Sequence, residues 1–183
     1  MKGKLIVLSG PGGVGKSTIS KELRKDDRFL VSVSYTTRKA RENEFEGTDY
    51  HFINEREFDE LIAKNAFLEY AEFAGSKYGT PRNSVESALK SGKHVLLEIE
   101  ITGARQVRER FPSAILVFLM PPSWAELKAR ISARGTDHPE RIAARLELAQ
   151  SEMAAAVEFD HTLINHRVDE VVNGLVALAT AVE

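Results

Sequence analysis

The 183-residue chain has no cysteine. That absence excludes a disulfide framework, thiolate metal sites and cysteine nucleophiles together, and it is compatible with a reducing compartment. Net charge is nearly missing too, with 25 Lys and Arg against 27 Asp and Glu for a balance of −2. That balance argues against the broad basic surface that non-specific nucleic-acid binding needs, and any anionic ligand must be held by local charge. No apolar run approaches the roughly 18 residues of a membrane span. The apolar start Leu5 to Leu8 runs straight into Ser9-Gly10-Pro11, too short for the core of a signal peptide. The expectation is a cytoplasmic protein with neither nucleic acid nor membrane as partner. Repeats and low-complexity tracts are absent as well, and 43% hydrophobic and 28% charged residues fit an ordinary globular chain. At roughly 150 residues per domain, the length predicts one compact domain with room for a small insert.

What is present is an alternation. Apolar runs at Lys4 to Leu8, Val95 to Ile99 and Ala114 to Met120 precede amphipathic stretches that start at Lys16, Gly103 and Ser123. Short buried runs followed by helical periodicity predict an α/β fold on a mainly parallel sheet with helices on both faces. Thr162 to Asn165 reads as a last short strand, and the spacing of Val168, Val171, Leu175 and Leu178 as a closing helix. The rhythm breaks over about 32–81, where short alternating pieces at Ser32 to Thr36, Tyr50 to Ile53 and Phe67 to Phe73 surround one helix begun by an Asn54/Glu57 capping box. We read an inserted subdomain there, within a core of 1–31 and 82–183. Over about 123–145 a second interruption, Arg134-Gly135-Thr136-Asp137-His138-Pro139, reads as a mobile hinge between two helices, hence a lid.

Gly10-Pro11-Gly12-Gly13-Val14-Gly15-Lys16-Ser17, with Thr18 following, fits GxxxxGK[ST] between the first strand and the first helix. Glycines let successive backbone N–H groups turn inward around phosphate oxygens, the helix start adds its positive dipole end, and the lysine reaches the terminal phosphates. The implied ligand is a nucleoside triphosphate, with Ser17 on Mg²⁺. A P-loop alone does not choose among GTPase, ATPase motor and kinase. The guanine-reading NKxD motif is absent and the chain is small for a motor core. A second basic cluster and an arginine-rich hinge favour a small kinase closing over two phosphorylated substrates.

The chain resembles the guanylate kinase family through SGPGGVGKST (Ser9 to Thr18), VSYTTR (Val33 to Arg38), GTDYHF (Gly47 to Phe52), FLEYAEF (Phe67 to Phe73) and KYGTP (Lys77 to Pro81). Later blocks at Val95 to Arg108, Pro121 to Asp137 and Arg141 to Met153 extend the match over nearly the whole chain. The resemblance implies transfer of the ATP γ-phosphoryl to GMP, and by extension dGMP, with Mg²⁺. It assigns Ser34, Arg38, Arg41, Tyr50 and Tyr78 to the GMP phosphate side, and two arginines in one short loop suit a phosphate dianion. Glu69 and Thr80 would read the base, the carboxylate accepting from guanine N1 and N2 and the hydroxyl donating to O6. Glu98, where a Walker B acid would stand, and Glu100, expected on the same strand face, would meet a metal-bound water or the acceptor. The family usually carries aspartates there. Lid arginines Arg130 and Arg134, with Arg145 beyond, would stabilise the transferring phosphoryl. Asn165 falls near the expected adenine loop. In this chain the loop after TTR lacks the prolines usual around the second arginine, reading Lys39-Ala40-Arg41-Glu42-Asn43-Glu44. Two alternatives stand beside this reading: a kinase of another phosphorylated acceptor such as ribose bisphosphate, and an inactive kinase-like binding module.

Overall fold

The computed structural model describes residues 3–133 and 139–181. Their elements run β1 (Leu5–Ser9), α1 (Lys16–Leu23), β2 (Phe29–Val31), β3 (Tyr35–Thr36), β4 (His51–Phe52), α2 (Glu55–Ala63), β5 (Phe67–Phe73), β6 (Ser76–Pro81) and α3 (Arg82–Lys90). They continue with β7 (His94–Glu98), α4 (Ile101–Arg110), β8 (Ile115–Met120), α5 (Trp124–Ser132), α6 (Pro139–Ala154), a 3-10 turn (Ala155–Glu158), β9 (His161–Ile164) and α7 (Val168–Thr180).

Five strands form one sheet in the order β2-β7-β1-β8-β9, every pairing parallel. The apolar run of β1 is buried throughout because it lies at the centre with helices over both faces. Side chains alternate along it: Ile6 and Leu8 join Ile19, Leu127 and Leu175 in one core, while Leu5 and Val7 join Val85, Leu97 and Val107 in the other. Ile6 is fully buried, so Ile6→Ala removes three carbons from a site that cannot collapse far. A loss of about 2–5 kcal/mol is expected, read from the urea midpoint at constant slope. A shift under about 1 kcal/mol would contradict the central placement of β1.

The second sheet, β4-β3-β6-β5, comes entirely from residues 35–81. It is mixed, with β3 parallel to β4 and antiparallel pairs β3/β6 and β5/β6. The expected capping box opens α2: Asn54 accepts from Glu57 N–H and Glu57 returns a bond to Asn54 N–H. Gln106 and Arg110 of α4 fasten this sheet to the core. The Gln106 amide exchanges two hydrogen bonds with the Tyr70 backbone, as a neighbouring strand would, and Arg110 donates to the Leu68 carbonyl at 2.7 Å.

The structure differs from the sequence expectations in places. Ser32 does not begin a strand of the insert; its N–H pairs with the Leu96 carbonyl, prolonging the edge of the main sheet. β7 stops at Glu98, and Glu100 is the N-cap of α4 with ψ 165°, so the two acids do not share a strand face. The expected hinge at Arg134 to His138, and Arg134 itself, lie outside the described residues.

Candidate active site

A cleft of about 900 Å³ opens between the C-terminal ends of the parallel strands and the second sheet. The P-loop forms its floor. Pro11, Gly12, Gly13, Gly15, Lys16, Ser17 and Thr18 line the cleft, whereas Val14 is fully buried and Gly10 lies behind the lining. Lys16 is the first residue of α1 and folds its ammonium onto the carbonyls of Gly10 and Pro11.

The loop is braced from outside. Asn165 donates its side-chain amide to the Val14 carbonyl at 2.9 Å, and Arg130 reaches the same carbonyl at 3.2 Å. Gly15, with φ 106°, lets the asparagine come this close, since a Cβ there would stand 2.6 Å from Asn165 Nδ2. Asn165 thus braces the phosphate loop through one of its amide N–H groups while also lining the cleft. Glu152 on α6, which the sequence reading missed, accepts from Gly12 N–H at 3.1 Å. Burial raises its pKa, as does the charge of Glu100, while Gly12 N–H and Lys16 act against that. Only the folded chain brings Glu152 within reach of a loop 140 residues earlier.

Across the cleft stand Ser34, Arg38, Arg41, Tyr50 and Tyr78. Arg38 lies over the Tyr50 ring with its guanidinium carbon 5.4 Å from the centroid, and Tyr50 meets Tyr78 edge to face at 5.9 Å. Burial pushes the Tyr50 hydroxyl up to about 12, so it stays a neutral donor.

Glu69 lines the same cleft although only 3% of it is exposed. A bulge between Phe67 and Glu69 interrupts the alternation of β5, so three consecutive residues, Phe67, Leu68 and Glu69, are all buried. Thr80 stands opposite Glu69 in the register and donates its hydroxyl to Oε1 at 2.6 Å. The second oxygen lies over Gly103 of α4, where a Cβ would come within 2.5 Å. Burial raises the Glu69 pKa, opposed by Thr80 and by the charge of Arg110. Thr80 is fully buried and outside the cleft lining. Its hydroxyl proton on Glu69 makes it a brace for the carboxylate.

Glu98 and Glu100 also line the cleft, and burial raises the Glu98 pKa while Lys16 nearby opposes the shift. No three acidic or histidine side chains among the described residues are grouped to hold a metal alone. The oxygen donors present, the exposed Ser17 hydroxyl and Glu98, suit Mg²⁺, which keeps waters and phosphate oxygens as its other ligands. Arg145 is half-buried on α6 and does not line the cleft.

A parallel sheet carrying a glycine-rich loop between β1 and α1 defines a P-loop α/β domain. The profile of the guanylate kinase family matches residues 2–181. Guanylate kinase from Thermobifida fusca is 55% identical over 179 residues, covering 97% of this chain and 91% of its own, and that from Streptomyces coelicolor is 52% identical over 180 residues, covering 98% and 91%. The crystal structure of guanylate kinase from Anaplasma phagocytophilum superposes with a TM-score of 0.81 at 31% identity, covering 98% of this chain and 88% of that one. The chain belongs to the guanylate kinase family.

Proposed function

We propose that this chain transfers the γ-phosphoryl group of ATP to GMP, and to dGMP, giving ADP and GDP or dGDP. The observation that carries the reading is the buried Glu69 carboxylate facing the same cleft as a complete P-loop. Guanine presents two adjacent donors at N1 and N2, which a carboxylate can accept together, and adenine presents the wrong pattern. A ribose bisphosphate offers hydroxyls but no adjacent pair of N–H donors matched to both carboxylate oxygens, so Glu69 counts against that alternative acceptor.

The GMP phosphate would meet Arg38, Arg41, Ser34 and the two tyrosines, with Glu100 on the acceptor side. Its oxygen is already anionic at neutral pH, so the attack needs no general base, and positioning with charge neutralisation carries the rate. Backbone N–H groups of the P-loop and Lys16 would hold the β- and γ-phosphates. Mg²⁺, held by Ser17 and through water by Glu98, would supply charge neutralisation on the phosphate oxygens. Arg130, Arg134 and Arg145 would act as a lid over about 123–145, Arg134 serving the transition state more than the ground state. Two phosphorylated substrates held by local charge require no nucleic acid or membrane partner, and the setting proposed is the cytoplasm. No helix among the described residues is long and apolar enough to cross a membrane.

The test is ADP formation with ATP and Mg²⁺ across GMP, dGMP, AMP, IMP, UMP and a ribose phosphate. Turnover with the two guanine nucleotides well above the rest is expected. Preference for a ribose phosphate would overturn the reading, and an absence of turnover with all acceptors would favour the binding module.

A further inference from the structure

We infer that Glu44 is a positioning residue for the acceptor-phosphate clamp: its carboxylate fixes Arg38 and Arg41 in one geometry and so governs affinity for the phosphate of the acceptor and not for its base. The inference rests on the reading of Arg38 and Arg41 as phosphate ligands. Between β3 and β4 the chain runs through a loop with little regular structure, and both arginines stand on it. Glu44 Oε1 accepts from Arg38 Nη2 at 2.9 Å, and Oε2 accepts from the Arg41 backbone N–H at 2.9 Å. Arg41 Nη1 lies 3.8 Å from the same carboxylate. The carboxylate thus ties a side chain and a backbone segment three residues apart to one point. Although it sits on a loop, only 15% of the Glu44 side chain is exposed.

The consequence for Arg38 is specific. Its Nη1 donates to the Lys39 carbonyl at 2.7 Å, Nη2 is on Glu44, and the guanidinium carbon stands over the Tyr50 ring, 5.4 Å from its centroid. Held on these sides, the guanidinium keeps its Nε–H buried with no partner. A buried donor left unmatched is costly unless an acceptor arrives, and an anionic oxygen is the strongest acceptor it can meet. Arg38, Arg41, Glu44 and Tyr50 all line the cleft, so the unspent donor belongs to a wall that faces the acceptor. Arg41 shows the need for the tie from the other side. Its side chain is 70% exposed, and its neighbours Ala40 and Glu42 leave the backbone free where proline would restrain it.

A carboxylate beside an anion site also repels the incoming phosphate, so the two effects of Glu44 oppose one another. Positioning wins here because both oxygens are already spent on donors of the clamp and Arg38 is largely desolvated. Without the carboxylate the Arg38 guanidinium would turn toward water and the loop would have to be ordered anew at each binding event.

The test compares Glu44→Ala, Glu44→Gln and Arg38→Ala in the full chain, measuring KM for GMP, KM for ATP, kcat, and the inhibition constant of guanosine, which has the base without the phosphate. For Glu44→Ala, KM for GMP is expected to rise about tenfold, the equivalent of one charge-assisted hydrogen bond. The guanosine constant, KM for ATP and kcat should each stay within about threefold, a smaller change than one such bond produces. Glu44→Gln keeps one acceptor oxygen and should fall between. An unchanged or lower KM for GMP in Glu44→Ala, with Arg38→Ala raising it, overturns the inference alone and marks Glu44 as a competitor of the phosphate. A parallel rise in the guanosine constant overturns it as well, since Glu44 would then merely hold the insert together. If Arg38→Ala also leaves KM for GMP unchanged, it is the phosphate-clamp reading beneath that fails.

Discussion

Replacing Lys16 with alanine is expected to lower kcat by about 10²–10³ or more while leaving the circular dichroism spectrum and the urea midpoint nearly unchanged. The ammonium stands at the first turn of α1, where it folds over the loop carbonyls of Gly10 and Pro11. Glu98 and Glu152 both feel its charge. Once terminal phosphates enter, the ammonium exchanges carbonyl partners for anionic oxygens, a stronger interaction and one that no backbone N–H can replace. The fold should tolerate the loss because the core contacts of α1 come from Ile19 and Leu23, both fully buried. A folded Lys16→Ala protein that turns over GMP at the wild-type rate would show that the P-loop does not bind the donor.

Glu69→Gln has the second large effect, on the choice of acceptor. The amide keeps the size of the side chain but removes its charge and turns one acceptor into a donor. One charge-assisted hydrogen bond is worth roughly 1.5 to 3 kcal/mol. At 1.36 kcal/mol per factor of ten, kcat/KM for GMP should fall by about one to two powers of ten. Activity toward AMP should fall much less, since adenine offers a donor and an acceptor that an amide can meet. An unchanged GMP to AMP ratio, measured on one preparation at saturating ATP, would remove Glu69 from base recognition.

The same substitution should raise stability at neutral pH. Burial raises the folded-state pKa of Glu69, so between the ordinary glutamate range and that raised value the folded chain binds more protons than the unfolded one. Stability from this group is then fully present below the unfolded pKa and is lost as pH rises through the folded one. At neutral pH the charged carboxylate is a cost that glutamine does not carry. Function follows the opposite course. KM for GMP should rise as pH falls through the raised pKa, because a protonated Glu69 cannot accept from both N1 and N2, and this acid limb should be missing in Glu69→Gln. Equal acid limbs in the two proteins would place the titrating group elsewhere.

What could be read from the chain without its fold divides along physical lines. β1, β7 and β8 were legible because strands buried on both faces are unbroken apolar runs. The Asn54 cap was legible because its partner is three residues away. β2 escaped, three residues being too few to show a period. So did β6 and α3, which meet at Pro81, the last residue of the strand and the N-cap of the helix, a residue that reads as a break. In the site, the P-loop lies within eight consecutive residues and announces itself. Asn165 and Glu152 act on that loop from 151 and 140 residues away, and no local pattern distinguishes a bracing asparagine or glutamate from a surface one. Glu69 was singled out through the family blocks, and base reading asks for a buried partner there, but no local pattern showed how the strand would bury it. Alternation predicts an outward residue there, and only the bulge after Phe67 with Gly103 alongside turns the carboxylate inward.

Phosphorus NMR of a single reaction mixture reads whether one phosphoryl group passes from ATP to GMP in this cleft. With ATP, GMP and Mg²⁺ present, the γ-phosphate resonance should decline as the β-phosphate resonances of ADP and GDP grow in equal amounts, and without GMP the ATP should persist. ADP accompanied by inorganic phosphate in place of GDP would contradict the account, because the P-loop would then serve hydrolysis and the arginine and glutamate walls across the cleft would have no acceptor to hold.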